Sequence, residues 1–145
     1  APALYQFQYI FATAMAGQPL AWMEASNLPD EAFFLFPVVT AYKSVMKSLH
    51  EGTILPIGDE PSGMSWTGFQ SISPDGRTGF LLVFREKNDA RRCNMSTWLP
   101  ADAAVSLEKV TGSGSSFESV TGADGKLEFS LPEVNTFALY KYTIK

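Results

Sequence analysis

Two hydrophobic periods divide the chain. Before Gly52 the apolar residues recur mostly at helical spacing; after it they come in short runs between turn signals. Leu4, Phe7, Ile10 (or Phe11) and Ala14, with Gly17 as a stop, predict a helix over residues 4–16. Leu20-Ala21-Trp22-Met23-Glu24-Ala25 has the length of a buried strand, introduced by Pro19 and closed by Ser26-Asn27-Leu28-Pro29. Leu35, Val39, Tyr42, Met46 and Leu49 then predict a main helix over residues 37–50, with Pro37 in its first turn, where a missing N–H is harmless. Residues 30–36 read as a loose turn. Helix, buried strand and helix form the repeating unit of a parallel α/β architecture.

Beyond Gly52 the pattern is that of strands. Residues 66–72 and 79–85 are joined by Ser73-Pro74-Asp75-Gly76-Arg77, a turn with Pro and Gly where their backbone preferences suit it. The second run, Gly-Phe-Leu-Leu-Val-Phe-Arg, is apolar on both faces and is therefore expected at the centre of a sheet. Residues 94–99, 105–110, 117–120 and 126–131 follow, the last two flanking Ala123-Asp124-Gly125 as an expected hairpin. Residues 137–144 close the chain with Ala138, Tyr140, Tyr142 and Ile144 on one face. The predicted fold is mainly β: an antiparallel sandwich of seven to eight strands over residues 53–145, preceded by an αβα segment over residues 1–52.

Composition narrows the chemistry. The 145 residues are 46% apolar and carry a net charge of −4, which suits a folded domain and gives no basic field for nucleic acid or anionic lipid. The charge-free run up to Met23 is interrupted by Gln6, Gln8, Thr13 and Gly17-Gln18-Pro19 and lacks a basic leader, so it reads as neither membrane span nor signal peptide. A helix apolar around most of its circumference belongs inside something larger. One cysteine, Cys93, and one histidine, His50, exclude an internal disulfide and most His- or Cys-based metal and nucleophile sites, and neither metal nor cofactor is expected. A single cysteine fits cytosol or periplasm equally.

Trp22 and Glu24 share one face of the short strand and form the candidate substrate-lining pair. The indole can cover a pyranose face while the carboxylate accepts from hydroxyls; the competing reading makes Trp22 core and Glu24 a partner of a neighbouring strand. Glycosidase chemistry needs two converging carboxylates. Asp59 and Glu60 are adjacent in a Gly/Pro-rich loop and do not supply them. His50 suits the negative end of its helix. Cys93, after Arg91-Arg92, reads as a quiet strand cysteine. Trp66, Phe69, Phe80, Phe84 and Trp98 read as sandwich core, and residues 85–92 as a mixed-charge tip.

The run Ala41-Tyr42-Lys43, Leu49-His50-Glu51-Gly52, Leu55-Pro56-Ile57-Gly58-Asp59-Glu60-Pro61, Trp66-Thr67-Gly68-Phe69-Gln70 and Leu81-Leu82-Val83-Phe84-Arg85 resembles the junction of barrel and C-terminal β domain in α-galactosidases (melibiases) of the retaining clan of families 27 and 36. The resemblance implies that residues 4–16, 20–25 and 37–50 are the seventh helix, eighth strand and eighth helix of a (β/α)8 barrel. The family's nucleophile and acid/base are aspartates on earlier barrel strands, and no residue here matches them. The implied function is a non-catalytic C-terminal region whose β domain packs against the catalytic barrel of the same polypeptide. The alternatives are a stand-alone carbohydrate-binding sandwich and a ligand-free structural module. Exposed leader helices would promote self-association.

Overall fold

A computed structural model describes residues 6–17 and 30–145. The leader contributes a short helix α1 (Phe7–Ala12), a 3-10 turn over Met15–Gly17, a second 3-10 segment over Asp30–Phe34, and the helix α2 (Leu35–Glu51) that continues from it. The predicted first helix is shorter than its periodicity suggested. The Thr13 hydroxyl donates to the Ile10 carbonyl at 2.7 Å, and Ala14 N–H bonds three residues back to Phe11. The chain thus tightens into 3-10 geometry before Gly17. Pro37 does sit in the first turn of α2, which begins two residues earlier than expected. The predicted strand over residues 20–25 lies outside the described residues.

Eight antiparallel strands follow: β1 (Thr53–Gly58), β2 (Trp66–Ile72), β3 (Thr78–Arg85), β4 (Arg92–Met95), β5 (Ala104–Gly112), β6 (Phe117–Val120), β7 (Leu127–Ser130) and β8 (Thr136–Ile144). Six form one sheet in the order β1-β2-β3-β8-β5-β6, and β4 pairs with β7 in a second sheet. The mainly β sandwich expected from the sequence is the fold. β3 and β8 occupy the middle and are apolar on both faces. Leu81, Val83, Ala138, Tyr140 and Tyr142 face Met95, Leu127, Phe129 and Leu131 of the second-sheet side. Phe80, Leu82, Phe84, Phe137 and Leu139 face Tyr9, Met15, Val38, Tyr42 and Leu49 of the helical layer. Three layers result, with the leader and the β body sharing one of the two cores.

Residues 117–120 and 126–131 do not form the expected hairpin. The turn itself closes, with Gly122 N–H to Lys126 O and Gly125 N–H to Gly122 O both at 3.0 Å. Its arms, however, enter different sheets: β6 pairs with β5, and β7 with β4. Leu127, Phe129 and Leu131 are needed to cover the apolar face of β3 and β8, so the chain crosses from one sheet to the other. Strand β1 was hidden by Pro56. Asp59 N–H bonds Trp66 O, which fixes the hydrogen-bonded pairs at Thr53, Leu55 and Ile57 and turns Pro56 toward the free edge, where no donor is required. That edge is covered: Trp98 Nε1–H donates to Pro56 O at 2.8 Å, and Gly58 N–H to Ser96 O at 2.9 Å. The strand expected over residues 94–99 therefore ends at Met95, and its remainder serves as the cover.

The β2–β3 turn forms where Pro74 and Gly76 placed it, with Gly76 at φ 69°. A side chain at Gly79 would collide with Ser71 O and the Tyr142 ring, so close strand-to-ring packing demands glycine there. Asp75 accepts from Thr78 Oγ1 at 2.7 Å, Thr78 N–H at 2.9 Å and Arg77 N–H at 2.8 Å, which holds its carboxyl below the usual range. Folding therefore favours the ionised form. Its contribution is complete above the unfolded value of about 3.9 and is lost as pH falls through the lower folded value. Asp75→Asn should flatten the acid limb of the stability–pH profile, and an Asp75 carboxyl that titrates at its unfolded value in NMR would disprove the account.

Candidate functional site

The proposed substrate-lining pair, Trp22 and Glu24, lies outside the described residues. Every other sequence-selected group can be placed. Asp59 and Glu60 are exposed in the loop between β1 and β2, where Glu60 O accepts from Ser65 Oγ at 2.7 Å. This loop is fastened from the side by Glu86, whose carboxylate accepts from the backbone N–H groups of Ser62, Gly63 and Ser65 at 3.1, 3.0 and 2.9 Å. The carboxylate is thus engaged in loop geometry, and no acid among the described residues is paired with it.

The tip expected to be a mixed-charge surface contains a buried cation. Arg85, 4% exposed, directs Nε and Nη2 to Asn88 O at 2.9 and 2.6 Å and Nη1 to Leu131 O at 2.9 Å. A guanidinium satisfied by carbonyls ties the end of β3 to the segment leaving β7. Trp66 is core as expected, its indole N–H donating to Ala90 O at 3.0 Å. Trp98 departs from expectation: it is 57% exposed, because its edge covers β1. Its backbone N–H donates to Oε1 of the buried Gln70 at 2.8 Å, while Gln70 Nε2 donates to Tyr142 OH at 3.1 Å.

His50 occupies the last turn of α2, as the capping argument required, and also has a specific partner. Tyr42 OH donates to Met15 O at 3.0 Å and lies 2.8 Å from His50 Nε2. A hydroxyl has one proton, so its oxygen accepts from Nε2–H. The chain Met15–Tyr42–His50 pins the 3-10 turn to α2. Burial raises the Tyr42 hydroxyl above its ordinary value and pushes Tyr140 up to about 12, so both remain donors across the neutral range. Cys93 is half-buried opposite Phe129 on β7. Desolvation raises its thiol, Asp59 adds to the rise and Lys126 opposes it. The charges that act on it are thus Asp59 and Lys126, and its sequence neighbours Arg91 and Arg92 are not among them.

Among the described residues no group of three or more His, Cys, Asp or Glu is placed to hold a metal. No described helix is long and apolar enough to cross a membrane. The geometry supplies no assembled nucleophile or acid/base pair among the described residues. What it does supply is surface: exposed aromatic residues on the helical layer and clefts at the seams between layers. Phe33, Phe34 and Phe36 lie close in sequence and are exposed at 56, 65 and 60%, with the rings of Phe33 and Phe36 5.8 Å apart. Periodicity missed all three because residues 30–36 lay in an assumed turn, although the run Phe33-Phe34-Leu35-Phe36 was itself visible.

Two measurements follow from this geometry. Alkylation of Cys93 at neutral pH should be slower than that of a free thiol and should rise only at higher pH, as a raised thiol requires; a rate matching glutathione would disprove the burial argument. Tyr42→Phe removes the central hydroxyl of the His50–Met15 link and should destabilise the fold by about 1–2 kcal/mol in denaturant unfolding. An unchanged midpoint would show that the link contributes nothing. No protein-family model and no curated protein sequence matches this chain.

Proposed function

We propose that this chain is the non-catalytic C-terminal region of an α-galactosidase-like glycoside hydrolase, its β domain packing against the catalytic barrel through the helical layer. The observation that carries this reading is the second apolar face of that layer. Leu35, Val38, Tyr42 and Leu49 of α2 are buried, with Val38, Tyr42 and Leu49 in the core shared with the six-stranded sheet. Phe36, Val39 and Met46 continue the apolar arc around the helix away from them, and Phe33, Phe34 and Ile10 add to the exposed set. A helix that served only to cover one sheet face would have a single apolar stripe.

Full burial of one such side chain contributes about 1.5–3 kcal/mol, so covering three phenylalanines is a substantial driving force for docking. The barrel-to-sandwich junction motifs named above give that force a specific partner. Trp22 and Glu24 would line the far side of the barrel's substrate cleft. The reaction itself would be carried by aspartates on earlier barrel strands, which makes this region inactive alone.

The alternative of a stand-alone carbohydrate-binding sandwich is favoured by one observation, the exposed and hydrogen-bonded Trp98. The parent reading frame separates the two. Several hundred residues of strand–helix repeats upstream of Ala1, with aspartates at strand ends, are expected. A start codon or signal peptide directly before Ala1 would overturn the proposal. The isolated chain should also self-associate in sedimentation velocity, and Phe34→Ser with Phe36→Ser should shift it toward monomer. A monomeric parent chain would leave the apolar face without the docking role.

A further inference from the structure

At the end of the six-stranded sheet where β5 finishes and β8 begins, α1 and α2 lie across the strand ends and border an open cleft of about 220 Å3. Its apolar wall is Tyr9, Val38 and Phe137, all buried. Its polar side is Thr111, Ser113 and Asn135, each half-buried, joined by Gln8 of α1. Among the described residues, the side chains of Thr111, Ser113 and Asn135 make no hydrogen bond within the protein. No residue lining the cleft is charged.

The backbone brings this set together. β5 bears a bulge between Lys109 and Thr111, so that Thr111 pairs with Leu139. Without the bulge, Val110 would oppose Leu139 and Thr111 would turn to the inter-sheet face with Val105 and Leu107. The extra residue moves the Thr111 hydroxyl to the helical side, where the cleft lies. Asn135, at φ 54°, and Gly112, at φ 99°, reverse the chain on either side of it.

The geometry points to this cleft as a binding site for a neutral monosaccharide unit. An ionic ligand would be desolvated with no counter-charge among the lining residues. A wholly apolar ligand would strip water from two hydroxyls and an amide and replace none of their hydrogen bonds. A sugar ring offers hydroxyls to Thr111, Ser113 and Asn135 and an apolar face to Phe137 and Tyr9. The volume is well above that needed for a single water and suits one ring. The site is built wholly from this chain and does not rest on the barrel-docking proposal.

The test is titration of the 15N-labelled chain with galactose and with glucose, using glucuronate as a charged comparator. Saturable shifts centred on the amides of Thr111, Ser113 and Asn135 are expected with a neutral sugar and not with glucuronate. Thr111→Val keeps the side-chain shape, and Asn135→Gly keeps the left-handed backbone. Each should weaken binding about tenfold, the scale of one lost hydrogen bond to ligand. Ser113→Ala is a third variant of minimal structural effect. Absence of saturable shifts, equal binding of glucuronate, or affinity unchanged in all three variants would overturn the assignment. So would shifts centred on Trp98 and abolished by Trp98→Phe, which would place the sugar at the β1 edge instead.

Discussion

The double-sided burial of β3 and β8 governs this structure. A sheet with one apolar face can leave the other in water, but Phe80, Leu82, Phe84, Phe137 and Leu139 point away from the sandwich core, as large as the residues that point into it. Something must lie over each face. On one side the cover is β4 and β7 with the segments around them; on the other it is α1 and α2. The remaining features follow from supplying those covers. The chain crosses between sheets at Gly122–Lys126 because Leu127, Phe129 and Leu131 are required opposite Tyr140 and Tyr142. The leader cannot be dispensable ornament, since removing it would expose five large apolar side chains of the sheet.

Covering faces leaves the edges to be managed, and each is managed locally. β1 presents Pro56 outward and is closed by the Trp98 indole and the Ser96 carbonyl. β6 is four residues long, with Glu118 bonded to Lys145 at 2.7 Å, and β7 is equally short with Glu128 exposed. Short strands bearing charge resist pairing with other sheets. The buried polar residues serve the same economy: Arg85, Gln70, Ser71 and Thr121 all bond to the protein itself, and no buried side-chain nitrogen or oxygen among the described residues lacks a partner. Groups committed in this way are structural. Reactivity would require polar atoms held ready for something else, and those occur at the seams.

Local chemistry was legible in the sequence, whereas long-range assignment was not. β2 was bounded to the residue, and β3, β5, β8 and α2 within two residues at each end, because their periodicity, Pro74-Asp75-Gly76 and Gly52 are local signals. The β6–β7 hairpin failed although its turn was read correctly, since which sheet an arm joins depends on residues far away in sequence. β1 was missed because proline argues against a strand unless the edge is known in advance. The break in the first helix is the work of one threonine hydroxyl competing for a carbonyl. Of the candidate sites, Trp22 and Glu24 fall outside the described residues. The cleft at Thr111, Ser113 and Asn135 was not legible: it joins three distant segments, and its key orientation comes from a bulge that no composition signal marks.

That position at a seam has a thermodynamic consequence. The cleft takes its apolar wall from α1, α2 and β8 and its polar side from β5 and the segment before β8, so a ligand in it touches both the helical layer and the sheet. It can bind well only while the two are packed in the native register. Binding then stabilises the packed form by RT ln(1 + [L]/Kd), a term that vanishes for any state in which the helices have lifted away. The helical layer also carries the exposed Phe33, Phe34 and Phe36. The same few helical turns therefore have three demands upon them: to bury the outer face of β3 and β8, to complete the cleft, and to present Phe33, Phe34 and Phe36 outward. Only the first is met by residues that the sheet itself fixes in place. The Met15–Tyr42–His50 link fits this division, because it ties the leader's 3-10 turn to α2 within the layer and leaves the outward face unconstrained.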